Sequence, residues 1–142
     1  NGLMTYDREV IKFDEAETAA WHRKLYAPPP DVRELVATSE KEPRRWRHTF
    51  ARPADGWEKA DFDAAAWAEA PGGFGTKGTP GAVVRTEWKT PDVWLRRDFD
   101  LKAAPAGEPA LRIHHDEDAE VYVNGVLAAR VTGYVSEYGE VP

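Results

Sequence analysis

Six tryptophans and five tyrosines stand in this chain of 142 residues. An exposed aromatic ring can cover the C–H face of a sugar while polar neighbours bond its hydroxyls. Trp57, Phe74, Trp88 and Tyr134 fall in or beside loop-like stretches and are the aromatic candidates for ligand contact. Trp46, Trp67, Trp94 and Phe99 fall in strand-like stretches, where burial in a core is the expectation. Asp116, Glu117, Asp118 and Glu120 crowd one short stretch, and closely spaced carboxylates can hold calcium. The glycine and terminal glutamate of an EF-hand loop are missing from their offsets. A solvated turn is therefore preferred, with Asp116 and Asp118 as polar ligand contacts, and calcium on Asp116, Glu117 and Asp118 is the minor reading. No cofactor is expected.

Other chemistries find less support. His114 and His115 adjoin on a strand-like stretch, so their rings point to opposite faces and cannot readily grip one ion. Neither Ser39 nor Ser136 lies in a G-x-S-x-G turn, and Gly72-Gly73-Phe74-Gly75 lacks the Lys-Ser or Lys-Thr close of a phosphate loop. Adjacent carboxylates on one turn do not establish the sugar-sized gap that glycoside hydrolysis needs. Arg96 and Arg97 could clamp an acidic sugar, but structural pairing with a carboxylate such as Asp98 or Asp63 is preferred.

Composition narrows the classes further. Asp plus Glu number 25 against 19 Lys plus Arg, a net charge of -6, which disfavours a nucleic-acid partner. Without cysteine there are no disulfides and no thiolate metal sites or nucleophiles. No apolar run approaches the roughly 20 residues of a membrane span. The first residues lack the basic-then-apolar pattern of a secretory leader. The chain opens on Asn1 and stops at Pro142 after a strand-like stretch, so a piece of a longer polypeptide is the expectation.

The elements that must position these residues change character near Lys41. Asp14 to Tyr26 predicts a helix, with Asp14 as N-cap and Glu17 three residues on as in a capping box. Pro28, Pro29 and Pro30 stop it, and Asp31 to Thr38 could form a second short helix. Leu3 to Phe13 is a strand or the extended end of a preceding domain. Residues 1–41 are thus a helical lead-in or the tail of a preceding domain. In residues 42–142 period-two alternation marks strands at Arg45 to Phe50 and Val93 to Leu101. Ala110 to His115 and Glu120 to Asn124 are two more, joined by the acidic turn. Asn124-Gly125 is a strong type I′ hairpin signal, with Val126 to Val131 as the returning strand. Ala70 to Gly81, rich in Gly and Pro, reads as a loop without regular structure. The fold class is mostly β, a sandwich with a short helical lead-in.

An ordered series of motifs carries a family resemblance. Trp57, Asp61-Phe62-Asp63, Trp67, Gly73-Phe74-Gly75, Val93-Trp94-Leu95-Arg96-Arg97-Asp98-Phe99 and Ala119-Glu120-Val121-Tyr122-Val123-Asn124-Gly125 follow one another over about residues 46–138. This series resembles the galactose-binding-like jelly-roll domain of glycoside hydrolase family 2. More loosely, it is similar to modules of large bacterial hydrolases, including glutaminase-like ones. The resemblance implies a non-catalytic carbohydrate-binding or positioning module of an extracellular or periplasmic hydrolase. Its partners would be a glycan and the adjacent catalytic domain. A structural spacer without a ligand and a fragment of a hydrolase, glycosidase or glutaminase-like, are the alternatives. The family pattern runs on through further strands where this chain stops. An incomplete sandwich is therefore expected, its edge covered by residues outside the chain, by the N-terminal helices or by a second copy in a homodimer.

Overall fold

The computed structural model describes residues 7–8, 14–25 and 32–142 and divides the chain into two compact units, Asn1–Arg33 and Glu34–Pro142. In the first, α1 spans Glu15–Leu25. Its start follows the sequence signal, because the Asp14 carboxylate accepts from the Glu17 N–H at 2.8 Å and the Asp14 carbonyl from the Thr18 N–H at 2.9 Å. Glu15 and Glu17 add negative charge where the helix dipole is positive. The strand or extended segment expected over Leu3 to Phe13 lies outside the described residues, save Asp7 and Arg8.

The second unit is mostly β and contains β1 (Arg45–Thr49), β2 (Ala68–Pro71), β3 (Phe74–Gly75), β4 (Thr86–Glu87), β5 (Trp94–Arg96), β6 (Leu111–Ile113), β7 (Ala119–Val123), β8 (Val126–Val131) and β9 (Gly139–Val141). They form four small sheets, ordered β2-β1-β5, β3-β4, β6-β9 and β7-β8, and every pair except β3-β4 is antiparallel. Alternation along β1 sends Trp46 and His48 inward. His48 is 9% exposed, with the rings of Phe50 and Phe74 at 5.2 and 5.1 Å. On the opposite face Arg45 Nη2 meets Glu69 Oε2 at 2.7 Å across the β1-β2 ladder, and the guanidinium holds that carboxyl below its ordinary range.

Among the described residues Ala64, 6% exposed, is the one buried apolar side chain. With so little deep core, arginines that capture backbone carbonyls carry much of the wiring. Arg85, just before β4, reaches the segment ahead of β1. Its Nη1 donates to the Ser39 carbonyl and, at 3.1 Å, to the Gly72 carbonyl, while Nη2 donates to the Glu40 carbonyl at 3.1 Å. Arg97 Nη1 donates to the Ala37 carbonyl at 2.7 Å, with its guanidinium carbon 5.8 Å from the Trp46 ring. Burial first, and the like charge of Arg44 second, push the Arg97 pKa down.

Several expectations are corrected here. Residues 32–38 are not helical: the Glu34 carboxylate captures the Thr38 N–H at 3.0 Å and Arg97 takes the Ala37 carbonyl, so both groups are satisfied outside a helical ladder. Arg97 pairs with a carbonyl rather than with Asp98 or Asp63, and Arg96 likewise donates to the carbonyls of Trp57 and Lys59. The strand expected over Val93 to Leu101 is ordered as a strand only at Trp94–Arg96, and Phe99, expected in the core, is 47% exposed. The stretch Ala70 to Gly81 is not wholly irregular, since it holds the end of β2 and all of β3. The two strands joined by the acidic turn are present as β6 and β7 but lie in different sheets, β6 pairing with β9, Leu111 opposite Val141 and Ile113 opposite Gly139.

The hairpin follows its signal. β7 and β8 pair from Ala119↔Val131 to Val123↔Val126, with an irregularity at Val121/Tyr122. Asn124 and Gly125 take φ of 52° and 83°, as a type I′ turn requires.

Candidate functional site

The loops that follow β6 and β8 meet through a set of polar contacts. Asp118, just before β7, accepts the Gly133 N–H on Oδ1 at 2.9 Å. His115 Nδ1 lies 2.9 Å from the carbonyls of both Glu117 and Gly133, so that nitrogen carries a proton and donates. The Val135 N–H returns to the His115 carbonyl at 3.1 Å. Gly133 and Val135, on either side of Tyr134, are therefore both tied to the 115–118 turn. A third loop closes on the same place. His114 Nε2 lies 3.0 Å from the Pro80 carbonyl, and Gly81 sits so close to Ser136 that a Cβ on it would be 2.6 Å from the Ser136 carbonyl carbon.

Tyr134 projects from this knot 75% exposed. Asp116 and Glu117, in the turn to which Gly133 and Val135 are tied, are exposed too, and Glu117 takes the left-handed φ of 74° that lets the turn double back. Of the residues singled out in the sequence, Asp116, Glu117, Asp118 and Tyr134 thus come together at one corner.

The other three do not join them. Trp57 is half-buried, its ring centroid 5.8 Å from Tyr122 and 6.5 Å from Trp67, which in turn meets Phe62 at 5.9 Å. Arg96 lies 5.6 Å over the Phe62 ring and holds the Trp57 carbonyl. That is a packing cluster. Phe74 packs on His48, and Trp88 is half-buried with its backbone N–H on the Gly75 carbonyl at 2.9 Å. The Trp88 indole nitrogen is shut away from solvent with no acceptor.

Along the last part of the chain most charged residues are acidic. Between Ile113 and Pro142 the chain carries Asp116, Glu117, Asp118, Glu120, Glu137 and Glu140 but only Arg130 as a cation. Arg130 is engaged by Glu120 at 2.6 Å, and Arg112, the next cation upstream, by Glu40 at 2.6 Å. The hydroxyl of Tyr122 at 2.6 Å, and then Arg130, hold the Glu120 carboxyl below its ordinary range. Among the described residues no group of three or more His, Asp or Glu side chains is gathered to hold a metal ion. Among the same residues no helix is long and apolar enough to cross a membrane.

Sequence reasoning missed His115, Gly133, Pro80 and Ser136 as supports of the corner. Their partners lie 15 to 55 residues apart along the chain, from Asp118–Gly133 to Gly81–Ser136, and no local pattern announces such pairs. No protein-family model matches the chain, and no curated protein or solved structure matches it either.

Proposed function

We propose that the chain is a non-catalytic carbohydrate-binding or positioning module of a larger extracellular or periplasmic glycoside hydrolase-like protein, built on a galactose-binding-like jelly-roll plan. In that plan, strands from outside the chain extend the small sheets, and an adjacent catalytic domain of the same polypeptide is its working partner. The observation that carries the reading is Tyr134, an exposed ring on a loop whose neighbours Gly133 and Val135 are both held by hydrogen bonds to the 115–118 turn. A pre-ordered aromatic platform binds a sugar face without first losing loop entropy. The ordered motif series over residues 46–138 is the second support.

A glycan array followed by titration calorimetry tests the reading. Binding of at least one glycan, lost in Tyr134→Ala while the fold is kept, is the expected result; an array silent for the native chain sinks it. The spacer reading has its own support, because Trp57 and Phe74 are spent on ring packing. A silent array would leave that reading standing. Turnover of a chromogenic glycoside by the chain would instead point to the hydrolase-fragment reading.

A further inference from the structure

The tip of the β7-β8 hairpin holds two groups that can react with each other. The side-chain amide of Asn124 is an electrophile that can release ammonia, and the backbone nitrogen of Gly125 follows it in the chain. With no Cβ on residue 125, little hinders that nitrogen from approaching Cγ of Asn124. Asn124 is exposed, and among the described residues neither its side-chain amide nor the Gly125 N–H makes a hydrogen bond. Residues 58 and 59 lie on one side of the turn, a Cβ on Gly125 standing 3.5 Å from the Lys59 Cα, which is ordinary contact and leaves Asn124 open to water.

We infer that Asn124-Gly125 is a site of spontaneous succinimide formation, gated by opening of the hairpin tip, whose product unfastens the loops that β7 and β8 bring together. The Gly125 nitrogen loses its proton to hydroxide and bonds to Cγ of Asn124, the Cγ–Nδ2 bond breaks, and ammonia leaves with a proton returned from water. Water then opens the ring at one of its two carbonyls, giving aspartate or isoaspartate, with no oxidant or reductant required. In the closed turn the φ values are 52° and 83°, and a type I′ turn has a ψ of about +30° at its first central residue, the mirror of type I. At that ψ the Gly125 nitrogen lies nearly opposite Cβ about the Cα–C bond, so ring closure waits until the tip opens. Opening uncovers little apolar surface, because Val123 and Val126, paired beside the turn, are already 44% and 69% exposed and Leu127 is 44% exposed.

Isoaspartate carries the chain through the side-chain carbon and adds a methylene to a two-residue loop that sets the strand register. The bonds from Asp118 and His115 to Gly133 sit at the far end of the same hairpin and depend on that register.

The full chain aged in warm, mildly alkaline buffer, with and without denaturing urea, tests this by mass spectrometry of the tryptic peptide Ile113 to Arg130. The chain's other Asn-Gly pair, Asn1-Gly2, falls in a different peptide. The folded chain slowly gains the mass of an NH2-to-OH exchange at residue 124, with fragment ions of isoaspartate. The unfolded chain converts at least roughly tenfold faster, because the open tip is a minor state of the folded one. Amide exchange at Gly133 and Val135 speeds up in the aged chain in proportion to its isoaspartate, whereas Asn124→Gly stays unmodified and keeps its protection on the same schedule. A folded chain without isoaspartate after the unfolded chain has converted overturns the inference. Equal rates in the two states overturn the gating, and unchanged exchange at Gly133 and Val135 in fully converted chain overturns the coupling to the loops.

Discussion

Arg112 grips Glu40 through two bonds, Nε to Oε2 at 2.6 Å and Nη2 to Oε1 at 2.9 Å, and so fastens the segment ahead of β1 to β6, 72 residues later in the chain. The guanidinium holds the Glu40 carboxyl below the ordinary glutamate range, by hydrogen bonding first and charge second. A carboxyl whose folded pKa is depressed binds protons more readily when unfolded. Its contribution is present above the unfolded value and is lost as pH falls through the folded one. Acidification should therefore cost stability through this link as pH falls from the ordinary glutamate range to the lowered folded value. In Arg112→Ala, an NMR titration of Glu40 moves up to the ordinary carboxylate range, and this group's share of the stability is missing at neutral pH, so stability falls less on acidification than in the native chain. An unchanged Glu40 titration would show that the pair is not formed in solution.

Gly72 has no room for a side chain. A Cβ there would lie 2.5 Å from Trp46 Nε1 and against Ser39 Oγ, the very pair joined by a 3.0 Å hydrogen bond. Gly72→Ala is expected to lower unfolding stability by about 1–3 kcal/mol, the usual cost of overpacking. Gly139→Ala, with open space around its Cβ, is the control and leaves the denaturation midpoint nearly unchanged.

The carbonyls of Ala37, Ser39, Glu40 and Lys41 are held by Arg97 and Arg85. A chain beginning at Glu42 takes these acceptors away and strands two part-buried guanidiniums, whereas one beginning at Glu34 keeps them. The shorter chain should be less stable by at least about 2 kcal/mol, since hydrogen bonds to charged groups contribute roughly 1.5–3 kcal/mol each. Urea denaturation of the two chains side by side checks this, and equal midpoints would show that the arginines find water instead.

Asn124 holds a φ of 52° that alanine adopts only with strain. Asn124→Ala is expected to cost about 1 kcal/mol and to increase amide exchange along Ala119–Val131 more than along β1. Asn124→Gly should restore stability, because glycine accepts the same turn.

Patterns confined to a few neighbouring residues were enough for α1, β1 and the β7-β8 hairpin. A cap at Asp14, alternation around His48 and the Asn124-Gly125 turn each act within one element, so their outcome is written into adjacent side chains. The partners of β6 and the end of β5 were beyond that reach. β6 pairs with β9 some 26 residues away, and Arg97 leaves the strand to reach Ala37, 60 residues earlier. Such choices depend on which distant backbone groups still lack partners once the near ones are made.

The site divides in the same way. Residue type and loop position alone marked Tyr134, Asp116, Glu117 and Asp118 as able to meet a ligand, since an aromatic and carboxylates in turns have that capacity wherever they sit. Only the tertiary structure set Tyr134 outward and drew Trp57 and Phe74 into ring clusters, because exposure depends on what packs against a side chain. The bonds from His115 and Asp118 to Gly133 decided it. They span 18 and 15 residues and exist only when β7 and β8 have folded back to bring the two loops together.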